Sequence, residues 1–270
     1  MDLLGADFPF HSEALAGKRA LICGASGGIG AATARMMAKA GASVVVAARS
    51  VDKLDALVQE LASLGPGPHA AMALDLEDLS AVDAAVEELL SNGPVHVLVN
   101  NAGGPPGGAL IDAEVDEFIA PFQRHLHASH TLVRGLLPGM EAAGYGRILQ
   151  IISTSVKEPI PNLGVSNTLR GAMASWAKTL SRELPPCVTI NNVLPGFTAT
   201  DRLSSLANSI QARTGKSAED VHRGWMDQVP IDRLIDPLET AASLTSLALP
   251  AAGAIRGVSL AVDGGRLRSI

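Results

Sequence analysis

The chain alternates between two hydrophobic patterns. Short apolar runs, ALIC (20–23), ASVVVAA (42–48), HAAMAL (69–74), VHVLVN (95–100), RILQIIS (147–153), VTINNVL (188–194) and VSLAV (258–262), have the length and β-branched content of strands. Between them lie longer stretches with apolar residues at helical spacing: Ala31–Ala40, Val51–Leu64, Leu79–Leu90, 114–142, Leu163–Leu184, 201–224 and 236–249. Regular strand–helix alternation predicts parallel strands joined by right-handed crossovers, with helices on both faces of a doubly wound α/β sheet. No internal repeat, low-complexity tract or linker interrupts the series. The Gly/Pro-rich GPGP (65–68) and GGPPGG (103–108) fall where one element hands over to the next. A single domain over 1–270 is the expectation, with 197–230, the least strand-like region, as a flap over a pocket.

Composition sharpens this picture. Apolar residues make up 47% and aromatics only 3%, so the core has to be built from Ala, Leu, Val and Ile, which suits helices packed on a mostly buried parallel sheet. The formal net charge is −6, without a block of like charges; this argues against nucleic acid as a partner and against a polybasic membrane anchor. Asp2, Asp7 and Glu13 precede the first lysine, Lys18, the reverse of a signal peptide, and no apolar run is long enough to span a bilayer. Cys23 and Cys187 each sit in an apolar stretch. Reduced thiols in a cytoplasmic protein are the expectation.

The first strand runs into CGASGGIG (23–30) and then a helix. Gly24 permits the tight turn, Gly28 lets the backbone approach a diphosphate, and Gly30 allows close helix–strand contact. The following helix offers unpaired N–H groups and the positive end of its dipole to phosphate oxygens. The position of the loop between strand and helix is what makes it a dinucleotide site rather than an ordinary turn.

GASGGIG (24–30), VNNAGG (99–104), LPGFTAT (194–200) and VDGG (262–265), together with LLPGM (136–140), NNVLPG (191–196) and RLIDPLETA (233–241), resemble the motifs of the classical short-chain dehydrogenases/reductases, in order and spacing. The similarity covers nearly the whole chain after about residue 15 and is of a 3-oxoacyl-carrier-protein-reductase-like kind. It implies a Rossmann-type seven-stranded sheet of order 3-2-1-4-5-6-7 and a nicotinamide cofactor. By the same resemblance Gly24, Ser26, Gly28, Ile29, Gly30, Asp75, Leu76, Asn101, Ala102, Gly103, Pro195, Gly196, Thr198 and Thr200 would surround that cofactor. In NAD sites of this fold an acid ends the second strand and binds the ribose 2′-hydroxyl; here the strand ends VVVAARS, with Ala48 there and Arg49 beside it. Arg49 can pair with a 2′-phosphate, so NADP is expected over NAD.

The resemblance also fixes the register of the catalytic segment. Across ISTSVKEPIPNLGVSNTLRGAMASWAKTLSREL (152–184) the family's serine falls on Ser153, its tyrosine on Ser166 and its lysine on Arg170, while its asparagine falls on His125. The i,i+4 spacing keeps Ser166 and Arg170 on one helical face. An aliphatic hydroxyl is a far weaker acid than a phenol, and an arginine effectively never gives up its proton. The only tyrosine, Tyr145, precedes the fifth strand, at the sheet edge opposite the ligand side. His125, expected to project into the pocket, is the best remaining acid/base, with structural packing as its alternative. Lys157 is read as a solvated rim residue more readily than as a base. His125, His127 and His130 do not form a metal set, because 125 and 127 diverge on a helix and no Asp or Cys joins them.

Three readings stay open at this stage. One is an NADP(H)-dependent oxidoreductase acting on a carbonyl or secondary alcohol, with Ser153, Ser166 and His125 handling the oxygen and its proton and Arg170 holding the nicotinamide ribose. Another is a non-redox lyase, dehydratase or isomerase using His125 or Lys157. The third is a catalytically inactive nucleotide-binding subunit. The resemblance implies a homo-oligomer, dimer or tetramer, for which the Ala-rich face in GAMASWAKTL (171–180) is suited. The substrate is a small molecule, with Trp225 and Met226 pointing to an apolar carbonyl compound.

Overall fold

The computed structural model describes residues 11–269, so most of the acidic N-terminal stretch read above, Asp2 and Asp7 included, lies outside the described residues. Strands β1 (Arg19–Cys23), β2 (Ser43–Ala48), β3 (Ala70–Ala73), β4 (Val97–Asn100), β5 (Gly146–Ile151), β6 (Val188–Pro195) and β7 (Ser259–Val262) form one sheet. Its order is β3-β2-β1-β4-β5-β6-β7, with every neighbouring pair parallel. Both the fold class and the order agree with the expectation.

Side-chain alternation divides the sheet between two cores. Ala20, Ile22, Val44, Val46, Val97 and Val99 face α1 (Gly28–Lys39), α2 (Val51–Leu64) and α9 (Pro237–Ala248). Leu21, Cys23, Val45, Ala47 and Leu98 face α3 (Leu79–Ser91), α5 (Ala128–Ala142) and α6 (Gly164–Glu183). Burial on both faces leaves the strand ends as the accessible part of the sheet. Successive strands run outward from β1 and then from β4, and this reversal opens a crevice at their carboxyl ends, where doubly wound folds bind ligands.

Two long helices read from the sequence are interrupted. The expected helix over 114–142 is a 3₁₀ turn at Val115–Phe118, a single α turn, α4 (Ile119–Phe122), a π-helical stretch at Gln123–His127, and then α5. Pro121 in α4 lacks the N–H an unbroken α-helix would use, and the widened turn follows directly. The expected helix over 201–224 splits into α7 (Asp201–Thr214) and α8 (Ala218–Met226). Gly215 takes a left-handed φ of 70° and caps α7, and the Ser217 side chain then caps α8.

Tyr145 lies at the amino edge of the sheet, buried, its hydroxyl donating to the Ala248 carbonyl and its ring beneath Lys18 and Arg147. Burial pushes its phenol up to about 12. Cys23 and Cys187 are free thiols. Among the described residues no helix is long and apolar enough to cross a membrane.

Candidate active site

A cleft of about 750 Å³ opens over the carboxyl ends of β1, β2, β4, β5 and β6. The loop between β1 and α1 forms its floor. Gly24 has φ 61°, which few L residues adopt, and a methyl group there would come within 2.6 Å of the Asn101 carbonyl oxygen, so the close approach requires glycine. Asn101 holds the same turn by donating from Nδ2 to the Gly24 carbonyl at 3.2 Å. Gly30 lies outside the cleft lining and under the loop, where an added Cβ would meet the Gly24 oxygen at 2.3 Å. The first turn of α1 therefore presents its unpaired N–H groups behind glycines rather than side chains. Such a cradle fits a diphosphate.

Of the residues singled out in the sequence, Gly24, Ser26, Gly28, Ile29, Arg49, Asp75, Leu76, Asn101, Ala102, Gly103, Ser153, Ser166, Arg170, Pro195, Gly196, Thr198 and Thr200 share this one cleft. Arg49 Nη1 stands 4.0 Å from Asp75 Oδ2 at the exposed end near β2. Ser50 and Lys53 line the same end and were not singled out in the sequence. Lys53, four residues after Arg49, is the signal that a second cation shares this corner. Thr200 caps α7 through its hydroxyl and packs against Gly28, where a Cβ would meet Thr200 Cγ2 at 3.0 Å.

At the other end Ser153 stands just beyond β5, its Oγ accepting from the Ser155 N–H at 3.0 Å. That contact fixes the oxygen and leaves the hydroxyl proton free to donate into the cleft. Ser166 occupies the first turn of α6, and one turn later comes Arg170, 7% exposed. Arg170 Nη1 donates to the Ile151 carbonyl at 3.1 Å, while its Nε is buried without a hydrogen-bond partner. Burial, assisted by nearby Arg202, lowers this guanidinium to about 10, so it is a cation at neutral pH.

His125 does not project into the cleft. It lies behind the lining, 4% exposed, with Nε2 3.0 Å from the Gly103 carbonyl oxygen and Nδ1 3.5 Å from Arg170 Nη1. A carbonyl can only accept, so Nε2 carries the proton and Nδ1 offers its lone pair to Arg170; this assignment follows from the network. Burial first, then the charge of Arg170, drives the imidazole well below its usual value of 6.5. The ring borders only a small side cavity with Asn101, Ala102 and Arg124, where it is placed to join the Gly103 loop to Arg170 rather than to face the cleft. The π-helical stretch that contains His125 is what turns it inward here. Lys157 is exposed and outside the cleft lining. Nδ1 of His130 accepts from Trp176 Nε1. Among the described residues no group of three or more metal-ligating side chains occurs.

Arg124, Arg202 and Arg266 also line the cleft and carry no motif signal in the sequence. Arg124 pairs with Glu77 at 2.9 Å. Arg266 donates to Thr154 Oγ1 at 3.0 Å and lies over the Phe197 ring, which stacks on Trp225 with centroids 5.3 Å apart.

The chain that builds this cleft is similar to known sequences. Residues 18–211 match the short chain dehydrogenase family. The chain belongs to that family. The short-chain dehydrogenase described here is 32% identical over 255 residues, 93% of this chain and 98% of the relative, to a 3-oxoacyl-(acyl-carrier-protein) reductase of Vibrio harveyi. It is 27% identical over 258 residues, 94% of this chain and 99% of the relative, to an NADPH-dependent reductase of Bacillus subtilis. Among solved structures, L-sorbose reductase of Gluconobacter frateurii complexed with NADPH and L-sorbose superposes with a TM-score of 0.89 at 30% identity, covering 96% of this chain and all of that one. This ancestry supports a redox enzyme acting on carbonyl or alcohol carbon with a nicotinamide cofactor.

Proposed function

We propose that this short-chain dehydrogenase is an NADP(H)-dependent oxidoreductase that reduces a carbonyl compound, or oxidises the corresponding secondary alcohol, with altered proton-transfer groups. The observation that carries the reading is the gathering of the glycine cradle, Arg49, Lys53, Ser153, Ser166 and Arg170 in one cleft. Asp75 and Leu76 would hold the adenosine end, with Arg49, Ser50 and Lys53 available to a 2′-phosphate; NADPH-dependent and NADPH-bound relatives support this choice. When bound, the nicotinamide cofactor supplies or accepts hydride.

The chain's own residues then bind, orient and move a proton. Ser153 donates a hydrogen bond to the substrate oxygen and polarises it, keeping its own proton. Ser166, standing where the family's tyrosine would, passes a proton through its hydroxyl and water rather than releasing one itself, because its acidity is far below a phenol's. Arg170, in the place of the family's lysine, holds the nicotinamide ribose through donors not spent on Ile151. His125, in the place of the asparagine, is a positioning residue: it ties the Gly103 loop to Arg170 and gives up no proton.

The test is NADPH oxidation, followed by loss of nicotinamide absorbance, against a panel of ketones, keto acids and keto esters. Ser153→Ala is expected to lower kcat about 100-fold with NADPH affinity retained, in line with loss of one group stabilising a developing charge. Full activity in that variant would remove the assigned role. A second reading, a nucleotide-binding subunit without turnover, is favoured by one observation: among the described residues no His, Tyr or Cys lines the cleft to exchange a proton near neutrality other than buried Cys23, whose thiol is pushed up to about 12. NADPH binding without turnover on any panel member would select it.

A further inference from the structure

The protein carries a net charge of −6, yet the half of the cleft beyond β4 and β5 is cationic. Arg170 and Arg202 converge there. A methyl group placed on Gly104 would lie 3.4 Å from Arg202 Nη2 and 3.5 Å from Arg170 Nη2, so two guanidinium groups crowd one spot. Among the described residues neither has a carboxylate within 4.0 Å; the ion pairs near the cleft belong to Arg49 and Arg124. Arg202 is exposed and steadied by donation from Nη2 to the Pro105 carbonyl at 2.6 Å, which leaves its other donors available. Arg170 is buried, with Nε aimed at no acceptor. Desolvation lowers both guanidinium groups, and each also feels a neighbouring arginine: Arg202 acts on Arg170, and Arg124 on Arg202. Like charges held together without a protein counter-ion disfavour the ligand-free protein and favour an anion between them.

The surroundings say what the anion is attached to. Helix α7 starts one residue before Arg202 and has no buried residue, but Leu203, Leu206 and Ile210 on one of its faces line the cleft. Phe197 and Trp225 continue that apolar wall. The cofactor diphosphate is accounted for by the glycine cradle at the end of β1, whereas the arginine pair stands beside Gly104 and Pro105, past the end of β4.

We propose that the substrate is an amphiphilic keto acid, or its hydroxy acid counterpart, whose carboxylate is held chiefly by Arg202 with help from Arg170 Nη2, and whose apolar chain lies along Leu203, Leu206 and Ile210. This deepens the oxidoreductase reading and rests on it for the keto group, not for the anion site.

Calorimetric titration of the full-length protein with 3-oxooctanoate and with its methyl ester, each with and without saturating NADP⁺, tests it without turnover. The acid is expected to bind about tenfold or more tightly than the ester, as one charge-assisted contact would give. Arg202→Met should erase that preference while changing NADP⁺ affinity by less than about threefold, and Arg202→Lys should restore part of it. Equal binding of acid and ester by the wild-type protein overturns the proposal and leaves the redox reading intact. Equal loss of NADP⁺ and acid binding in Arg202→Met also overturns it, because the pair then serves the cofactor. Acid-selective binding by a protein that does not bind NADP⁺ sustains the anion site and overturns the redox reading instead.

Discussion

His125 Nδ1 and Arg170 Nη1 meet at 3.5 Å behind the cleft, and through Nε2 the same imidazole reaches the Gly103 carbonyl. A single neutral ring thus joins the loop after β4 to the cation on α6. Protonating it would put a second charge against Arg170 in a buried place and take away the lone pair that Arg170 uses.

This arrangement makes stability pH-dependent in a definite direction. The folded-state pKa of His125 lies well below its ordinary 6.5, so between those values the unfolded chain binds the extra proton. Stability is therefore complete above about pH 6.5 and falls as the pH drops below it, by at most about 1.4 kcal/mol per pH unit for one proton. His96, lowered by burial and by Lys18 and Arg19, acts in the same direction. Thermal denaturation at about pH 7.5, 6.5 and 5.5 should show the midpoint falling at the acid end. His125→Asn should flatten part of that dependence; an unchanged profile would mean that His125 is not held neutral.

Arg170 illustrates a site kept at the expense of stability. Its guanidinium is buried without a carboxylate, and its Nε lacks an acceptor. Arg170→Met is expected to raise the stability of the ligand-free protein by about 1–2 kcal/mol while weakening NADPH binding at least about tenfold. Urea titration and calorimetry on the same variant check both halves. A large loss of stability would instead make the bond to Ile151 the residue's main role.

Tyr145 lies at the amino edge of the sheet, outside the cleft lining, and its hydroxyl ties the start of β5 to the end of α9. Tyr145→Phe leaves the Ala248 carbonyl without its donor and should cost about 1–2 kcal/mol. Turnover and NADPH affinity should stay at wild-type levels when measured well below the denaturation midpoint. A selective fall in kcat would place this phenol in the reaction after all.

The strand–helix alternation and the glycine loop were legible in the sequence because local rules determine them, whereas the strand order was implied by the family resemblance. Gly24 and Gly28 need backbone conformations that few other residues adopt, and β2 had to end somewhere near Ala48 and Arg49. The substrate half was less legible. Arg124, Arg202 and Arg266 come from three separate elements and meet only through the topology, so no spacing announces them. His125 would face the pocket on an ideal helix across 114–142, but that stretch is interrupted. Pro121 and the π-helical turn after it rotate the side chain inward. Lys157 follows two serines of the pocket rim, yet the 3₁₀ turn at Thr154–Val156 leaves it on the surface.

The central claim is that the cleft is an NADP(H) site, and calorimetric titration with NADPH and NADH tests it most directly. Micromolar NADPH binding is expected, with NADH weaker by about tenfold or more, the worth of charge-assisted contacts from Arg49 and Lys53 to a 2′-phosphate. Arg49→Ala should close most of that gap by weakening NADPH alone. Equal affinity for the two cofactors would contradict the role given to Arg49, and binding of neither would make the glycine cradle mere scaffold and remove the redox assignment.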